Sequence, residues 1–236
     1  MEGFIWLIFS YLLGSIPSGY LITKLSKKEN ILEIGWRKTS GSNVFKNIGK
    51  WQGILTGLLD LSKGYLAVWL AQKFAFSPQI QILSGLAAVT GNNWSCFLKL
   101  AGGRGIGTFI GAFLAFSPQI LGFSLIPLIL LAIIWNASIG TILFLLTALI
   151  LSLYFDQFST AGILTLLSLF PIFIKRLSPI AEIKKAQNKA DLIRNRLIFD
   201  DDKACLDLRI KRIIKKLTPH HFIRTSKTNF RKSVLK

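Results

Sequence analysis

Residues 99–108 read Lys-Leu-Ala-Gly-Gly-Arg-Gly-Ile-Gly-Thr, a break between two apolar segments. A lipid-facing helix has no use for Gly102-Gly103-Arg104-Gly105, because glycines loosen it and a cation must be solvated or paired. Glycine lets the backbone turn tightly and approach a ligand, so that N–H groups converge on an anion. Arg104 adds a planar fork of donors suited to phosphate. A helix starting at about Gly105 adds its unpaired N–H groups and its dipole, which also favour negative charge. The alternative is a membrane-surface turn whose Arg snorkels to water. Read either way, the stretch joins membrane segments, and its neighbours decide what it does.

Composition points the same way. Of 236 residues, 51% are hydrophobic and 17% are charged. That is too apolar for a water-soluble domain and fits a polytopic membrane protein. The formal net charge of +18 is concentrated in residues 24–50 and 175–236. Basic loops beside apolar spans mark the cytoplasmic side and attract anionic headgroups of the inner leaflet. A nucleic-acid partner is not expected, since no aromatic-interleaved RNA motif accompanies the charge. Cys96 and Cys205 lack metal-ligand spacing, and a disulfide between a span end and a cytosolic tail is disfavoured. The N-terminus has no basic n-region and no small-residue cleavage site near Ser15, which predicts a retained first helix.

The chain reads as alternating spans and loops. Residues 4–22 form a first span, interrupted by Gly14-Ser15-Ile16-Pro17-Ser18-Gly19. Pro17 removes a backbone donor and kinks a helix, which a membrane tolerates where the backbone faces protein or a cavity. Lys24, Lys27 and Lys28 close the span on the inside, which leaves the N-terminus outside. The inner loop holds Gly35-Trp36-Arg37-Lys38-Thr39-Ser40-Gly41-Ser42-Asn43-Val44-Phe45-Lys46, a second cation-and-glycine stretch. Residues 51–74 go back out and contain Asp60 and Lys63, which share a helix face. They form a structural ion pair, or else Lys63 reaches toward phosphate. Residues 80–98 return and carry Asn92, Asn93 and Trp94, the last as an interfacial anchor. Both cation-and-glycine loops then face one compartment, which suggests one site.

Beyond the glycine loop, residues 106–116 and 120–135 are short for upright spans of about 20 residues. Either both cross, or they form one kinked or re-entrant element. Asn136-Ala137-Ser138-Ile139-Gly140-Thr141 is an inner polar stretch, and residues 142–155 and 161–174 close the membrane region. The predicted fold is all-α and polytopic, with about seven transmembrane helices (five if the middle pair does not cross) and a basic C-terminal tail in the cytoplasm. The division is a membrane domain at 1–177 and a basic tail at 178–236. In the tail, residues 181–194 suggest one amphipathic surface helix and residues 206–217 a basic one lying on the inner leaflet. Asp200-Asp201-Asp202 reads as a solvated acidic turn, because consecutive carboxylates on a helix point different ways. His220 and His221 have no carboxylate or cysteine neighbours and read as solvated, in an end predicted to be disordered.

Taken in order, five motifs add a family resemblance. Gly14-Ser15-Ile16-Pro17, Ser42-Asn43-Val44-Phe45-Lys46, Asp60-Leu61-Ser62-Lys63-Gly64, Gly102-Gly103-Arg104-Gly105 and Ser138-Ile139-Gly140 resemble the bacterial acyl-phosphate-dependent glycerol-3-phosphate acyltransferases. The resemblance covers about residues 4–174. The family's first loop reads G-S-G-N-x-G-A-T-N-V; here Gly35, Asn43 and Val44 are kept, Ser42 replaces Thr, and Trp36, Arg37 and Lys38 stand for S-G-N. Asn92 stands for a His and Arg104 for a Lys, and Arg176 and Pro179 are the nearest matches to the family's last His and Asn.

The resemblance implies an enzyme of the bacterial plasma membrane with its site facing the cytoplasm. It would transfer a fatty acyl group from acyl phosphate to the 1-hydroxyl of glycerol 3-phosphate, giving lysophosphatidate and phosphate, with no cofactor and no metal. Its catalytic set would be Arg104, Lys46, Ser138 and Asn43. Ser15, Ser42, Gly102, Gly103, Gly105 and Lys63 would bind phosphate, supported by Asp60 and Asn92. Two other readings remain at this stage: a catalytically degenerate homologue that binds lipid precursors or a partner, and an anion or phosphate transporter, for which paired broken helices would be expected.

Overall fold

The computed structural model describes residues 1–186 and 188–200. Asp201, Asp202, Cys205, His220, His221, the helix expected at 206–217 and the chain's end lie outside the described residues. Among the described residues all regular structure is helical. Helix α1 (Glu2–Ser15) stops before Pro17, and α2 (Ser18–Lys27) continues from it. A short α3 (Gly41–Asn47) leads into the long α4 (Lys50–Lys73). Then come α5 (Pro78–Asn93), α6 (Ile106–Phe116), α7 (Pro118–Ile134), α8 (Ala137–Tyr154) and α9 (Ile163–Leu177), the last preceded by a π-helical turn at Phe158–Gly162. Two short helices follow, α10 (Ile180–Lys185) and α11 (Lys189–Phe199).

Local chemistry sets these boundaries. Pro78 and Pro118 start α5 and α7, where a missing N–H costs nothing. Ser117 caps α7, its hydroxyl accepting from Ile120 N–H at 3.4 Å. Asn136 caps α8 in the same way through Ser138 N–H at 2.7 Å. The polar stretch at 136–141 is therefore a helix start. The middle segments are two separate helices that meet at Ser117. The single amphipathic helix expected at 181–194 is instead α10 and α11, with a break between Lys185 and Lys189.

Four helical stretches are long and apolar enough to cross a membrane among the described residues: Glu2–Lys27, Lys50–Lys73, Ala137–Tyr154 and Phe158–Leu177. Large apolar side chains such as Phe4, Ile8, Ile54, Leu58, Leu153 and Phe170 face outward along them, as do Ile129 and Ile133 on the shorter α7. Such a belt is tolerable in lipid and a liability in water. Inside, Phe109 and Phe144 meet edge to face at 5.8 Å, in a core with Val68, Val89, Phe113 and Leu164.

Two pairs of glycines set the closest helix crossings. Helices α4 and α6 touch at Gly64 and Gly111. A Cβ on Gly64 would sit 1.8 Å from Thr108 O, and one on Gly111 would sit 1.8 Å from Leu61 O. Helices α1 and α5 run in the same direction and touch at Gly14, against Ala88 O, and Gly91, against Tyr11 O. Hydrophobic burial does not drive helix pairing in lipid, so close backbone contact has to supply the packing energy.

Lys63 holds these pairs together. Its ammonium is 2.8 Å from Asp60 Oδ1 and donates to Ile16 O at 2.7 Å, Asn92 Oδ1 at 3.2 Å and Gly14 O at 3.3 Å. Both residues of the pair are buried, at 6% and 8% side-chain exposure. Carbonyls released where Pro17 breaks the first span thus find a donor on α4, and α5 joins through Asn92. We expect Lys63→Met to leave Asp60 buried without its counter-ion, at a cost of about 3–5 kcal/mol. Thermal unfolding in detergent should show a large drop in midpoint, with part of the loss recovered by adding Asp60→Asn. A single variant that melts like the wild type would remove Lys63 from this role.

Candidate functional site

The loops at one end of the bundle are built around Asn43. Its side chain is fully buried. Its Nδ2 donates to Lys38 O at 2.8 Å and Ile34 O at 3.1 Å, while its Oδ1 accepts from Trp36 N–H at 3.0 Å and Asn47 Nδ2 at 2.8 Å. Gly35 makes the turn at φ 57°, and a Cβ there would strike the amides of Asn43 and Asn47. Asn43 therefore staples the loop ahead of α3 and holds Trp36 and Lys38 in place.

The glycine loop docks against this platform. Thr39 N–H donates to Gly102 O at 3.2 Å, and Gly103 N–H donates to Asn92 O at 2.8 Å. Gly105, at φ 75°, is the residue before α6, so the helix starts where the sequence suggests. The Gly103 N–H is engaged within the fold and so does not join an anion cradle. The Arg104 guanidinium lies 4.4 Å above the Trp36 ring, and the Lys46 ammonium lies 4.7 Å from the same ring. Arg104 Nη1 also donates to Ser42 Oγ at 3.3 Å. Cations from distant parts of the chain thus converge on one indole ring, an arrangement worth about 0.5–2 kcal/mol per contact according to desolvation.

The remaining expected site residues lie elsewhere. Lys63 and Asp60 form the interior ion pair already described, so the Lys63 ammonium is filled by protein acceptors. Asn92 links that pair to the glycine loop, its side chain on Lys63 and its carbonyl on Gly103. Ser15 is fully buried; its carbonyl accepts from Ser95 Oγ at 2.6 Å, and its hydroxyl has no partner among the described residues. Ser138 reaches the loop cluster through its carbonyl, which accepts from Arg176 Nη2 at 3.1 Å. Trp94, expected as an interfacial anchor, has Lys175 5.5 Å from its ring and accepts at its carbonyl from the Tyr11 hydroxyl at 2.7 Å.

The tail supplies groups that the sequence did not reveal. Glu182 on α10 bridges Arg37 and Arg196. Arg196 Nη1 also donates to Pro179 O at 3.0 Å and Leu177 O at 3.1 Å. Arg176 donates to Leu197 O at 2.6 Å. Asp200, expected in a solvated turn, is buried to 3% side-chain exposure. It pairs with Lys38 at 3.1 Å and, in close contact, with Arg104 Nε. For Asp200 the expectation fails because this residue lies against a cluster of cations that needs counter-charge. A small cleft remains, lined by Trp36, Lys38, Arg176, Ser178, Pro179, Arg196 and Asp200. Burial pushes the Lys38 amine below its ordinary value, with Asp200 opposing the shift and Arg104 adding to it.

This geometry places several cations at the mouth of an apolar bundle, suited to an anionic group on an apolar chain. The family model described as glycerol-3-phosphate acyltransferase matches residues 4–186. A glycerol-3-phosphate acyltransferase of Prochlorococcus marinus (strain MIT 9312) is 37% identical over 140 residues, covering 58% of this chain and 71% of the relative. One from strain MIT 9301 is 40% identical over 123 residues, covering 50% of this chain and 62% of that protein. Among solved structures, PlsY, an integral membrane glycerol 3-phosphate acyltransferase in its glycerol 3-phosphate form, superposes with a TM-score of 0.65 at 26% identity. The match covers 78% of this chain and 93% of that one.

Hydrogen bonding from Arg37, followed by that from Arg196, holds the Glu182 carboxyl below its ordinary value. A carboxyl depressed in the folded state stabilises above its unfolded pKa, and the contribution is lost as pH falls through the folded one. The α10–α11 contact should therefore hold at neutral pH and loosen on the acid side of the usual Glu range, about 4.3. Amide hydrogen exchange across 180–199 against pH checks this. The same region in Glu182→Gln should exchange faster already at neutral pH, with a flatter pH dependence.

Proposed function

Because the chain belongs to the glycerol-3-phosphate acyltransferase family, we propose that it transfers a fatty acyl group from acyl phosphate to the 1-hydroxyl of glycerol 3-phosphate. The products are lysophosphatidate and inorganic phosphate. The observation that carries this reading is the convergence of Arg104 and Lys46 on the Trp36 ring, with Ser42 in hydrogen-bond reach of Arg104. Both substrates carry phosphate, and one also carries an alkyl chain that belongs in lipid. A cationic cluster at the end of a membrane bundle suits that combination.

In this reading the glycerol 1-oxygen attacks the acyl carbon, and the acyl carbon–oxygen bond to phosphate breaks. The hydroxyl proton leaves with the phosphate groups present, which bring their own bases. The donor is already activated, so positioning and charge stabilisation supply most of the rate. Arg104 and Lys46 hold phosphate oxygens, and Ser42 orients one of them. Asn43 acts by fixing the loop, and Ser138 acts through Arg176. Ser15, Lys63, Asp60 and Asn92 support the helices on which the loops stand. The protein then sits in a bacterial plasma membrane with these loops on the cytoplasmic side, consistent with the Lys and Arg around them. On this topology seven helices cross, the N-terminus is outside and the basic tail from residue 178 meets the anionic inner leaflet.

The contact of Asp200 with Arg104 favours a second reading, a homologue that binds lipid precursors without turnover. Purified protein in lipid, given palmitoyl phosphate and radiolabelled glycerol 3-phosphate, separates the two. We expect lysophosphatidate with stoichiometric phosphate release in the wild type. Arg104→Ala should lower the rate by about 100-fold or more, the scale of a lost charge-stabilising donor. Arg104→Lys should retain part of it, because charge survives while the planar fork does not. Ligand binding without product in the wild type would select the second reading.

A further inference from the structure

The acidic residue at the end of α11 sits where the proposed reaction needs an anion. Asp200 pairs with Lys38 and with Arg104, the residue placed on phosphate above. Arg176 and Arg196 line the same cleft. One carboxylate thus faces several guanidinium and ammonium groups, more positive charge than it neutralises. A phosphate monoester brings up to two negative charges and three acceptor oxygens to the same donors.

The way the tail is held also makes this contact exchangeable. In α11 Leu192, Ile193, Leu197 and Phe199 are half-buried, and its one fully buried residue is Arg196. Ile198 is exposed. Arg176 and Arg196 fasten the segment through backbone carbonyls, and Glu182 and Asp200 fasten it through ion pairs. The ion pairs among these contacts are the part that a competing charge can displace. The segment lies beyond residue 186, where the family match ends.

We propose that Lys38 and Arg104 form a phosphate-monoester site that Asp200 fills in the absence of ligand, so that ligand binding exchanges Asp200 for phosphate and releases α11. The proposal rests on the acyltransferase reading for the identity of its ligands, glycerol 3-phosphate or acyl phosphate. It makes Lys38, which stands where the family pattern has a neutral residue, a phosphate-binding group. It also makes the tail a built-in competitor that sets apparent affinity.

Titration calorimetry on the full chain in detergent micelles tests this without turnover. The probes are inorganic phosphate, glycerol 3-phosphate and palmitoyl phosphate, titrated separately. If Asp200 fills the site nine-tenths of the time, its removal tightens binding about ten-fold. Asp200→Asn should therefore bind inorganic phosphate and at least one organic phosphate about ten-fold tighter than wild type. Adding Lys38→Gln should reverse that gain. The organic phosphate that shows the gain identifies the ligand. Unchanged or weaker phosphate binding in a folded Asp200→Asn protein would overturn the proposal and leave a structural ion pair.

Hydrogen exchange on the wild type gives a second readout that needs no variant. Saturating ligand should speed exchange across 189–199, and unaltered protection there would also overturn the proposal. Acyl transfer is scored separately. A protein that exchanges Asp200 for phosphate but makes no lysophosphatidate loses the acyltransferase reading and keeps this one. The reverse result does the opposite.

Discussion

The ammonium of Lys63 is the interaction on which the rest of this structure depends. It lies inside the bundle with Asp60 beside it, where neither charge is tolerable alone. Pro17 breaks the first span, and Lys63 donates to two carbonyls at the break, Gly14 O and Ile16 O, the second of which also accepts from Ser18 N–H. The same ammonium reaches Asn92 on α5. Three helices are therefore joined at the point where the first one fails. The glycine crossings nearby need such a pin, because their close contact depends on register: Gly14 and Gly91 fit only against the backbone they now face.

From Lys63 a short chain of contacts runs to the surface. Asn92 takes the ammonium with its side chain and the Gly103 N–H with its carbonyl. Arg104 follows in sequence, and its guanidinium meets Trp36. Thus the interior pair helps to position Arg104 without touching it. Asn43 does the same from the other loop, through four hydrogen bonds that fix Trp36 and Lys38. A site on loops gains precision when each loop is tied to a rigid helix pair.

Gathering so many cations carries an electrostatic cost that must be met. Lys38 is buried among Arg104 and Arg196, which disfavours its charged form, and Asp200 offsets this. Glu182 does the corresponding work for Arg37 and Arg196. In the family reading, a substrate phosphate is the natural counter-charge for Arg104. The tail supplies carboxylates in the same neighbourhood, which links the stability of the described tail helices to the chemistry of the site.

Much of the fold was legible in residue order. The apolar runs, the break at Pro17, the helix start after Gly105 and the Asp60–Lys63 spacing all follow from local rules of hydrogen bonding and helical periodicity. The motif order from Gly14 to Gly140 pointed to the acyltransferase family. Residue order did not show that Arg104 and Lys46 share Trp36, since 58 positions separate the two cations and only packing brings the loops together. Nor did it show the helix-crossing glycines, whose role depends on which backbone lies opposite. Asp200 is the clearest case. Among three consecutive aspartates it looked solvated, and its burial comes from a basic platform more than 90 residues away in sequence. Composition and periodicity by themselves determined a helical membrane protein with a basic, phosphate-compatible end. Which charges meet there was decided by tertiary structure, because the Coulomb energy of an ion pair depends on distance and burial, and neither is written along the chain.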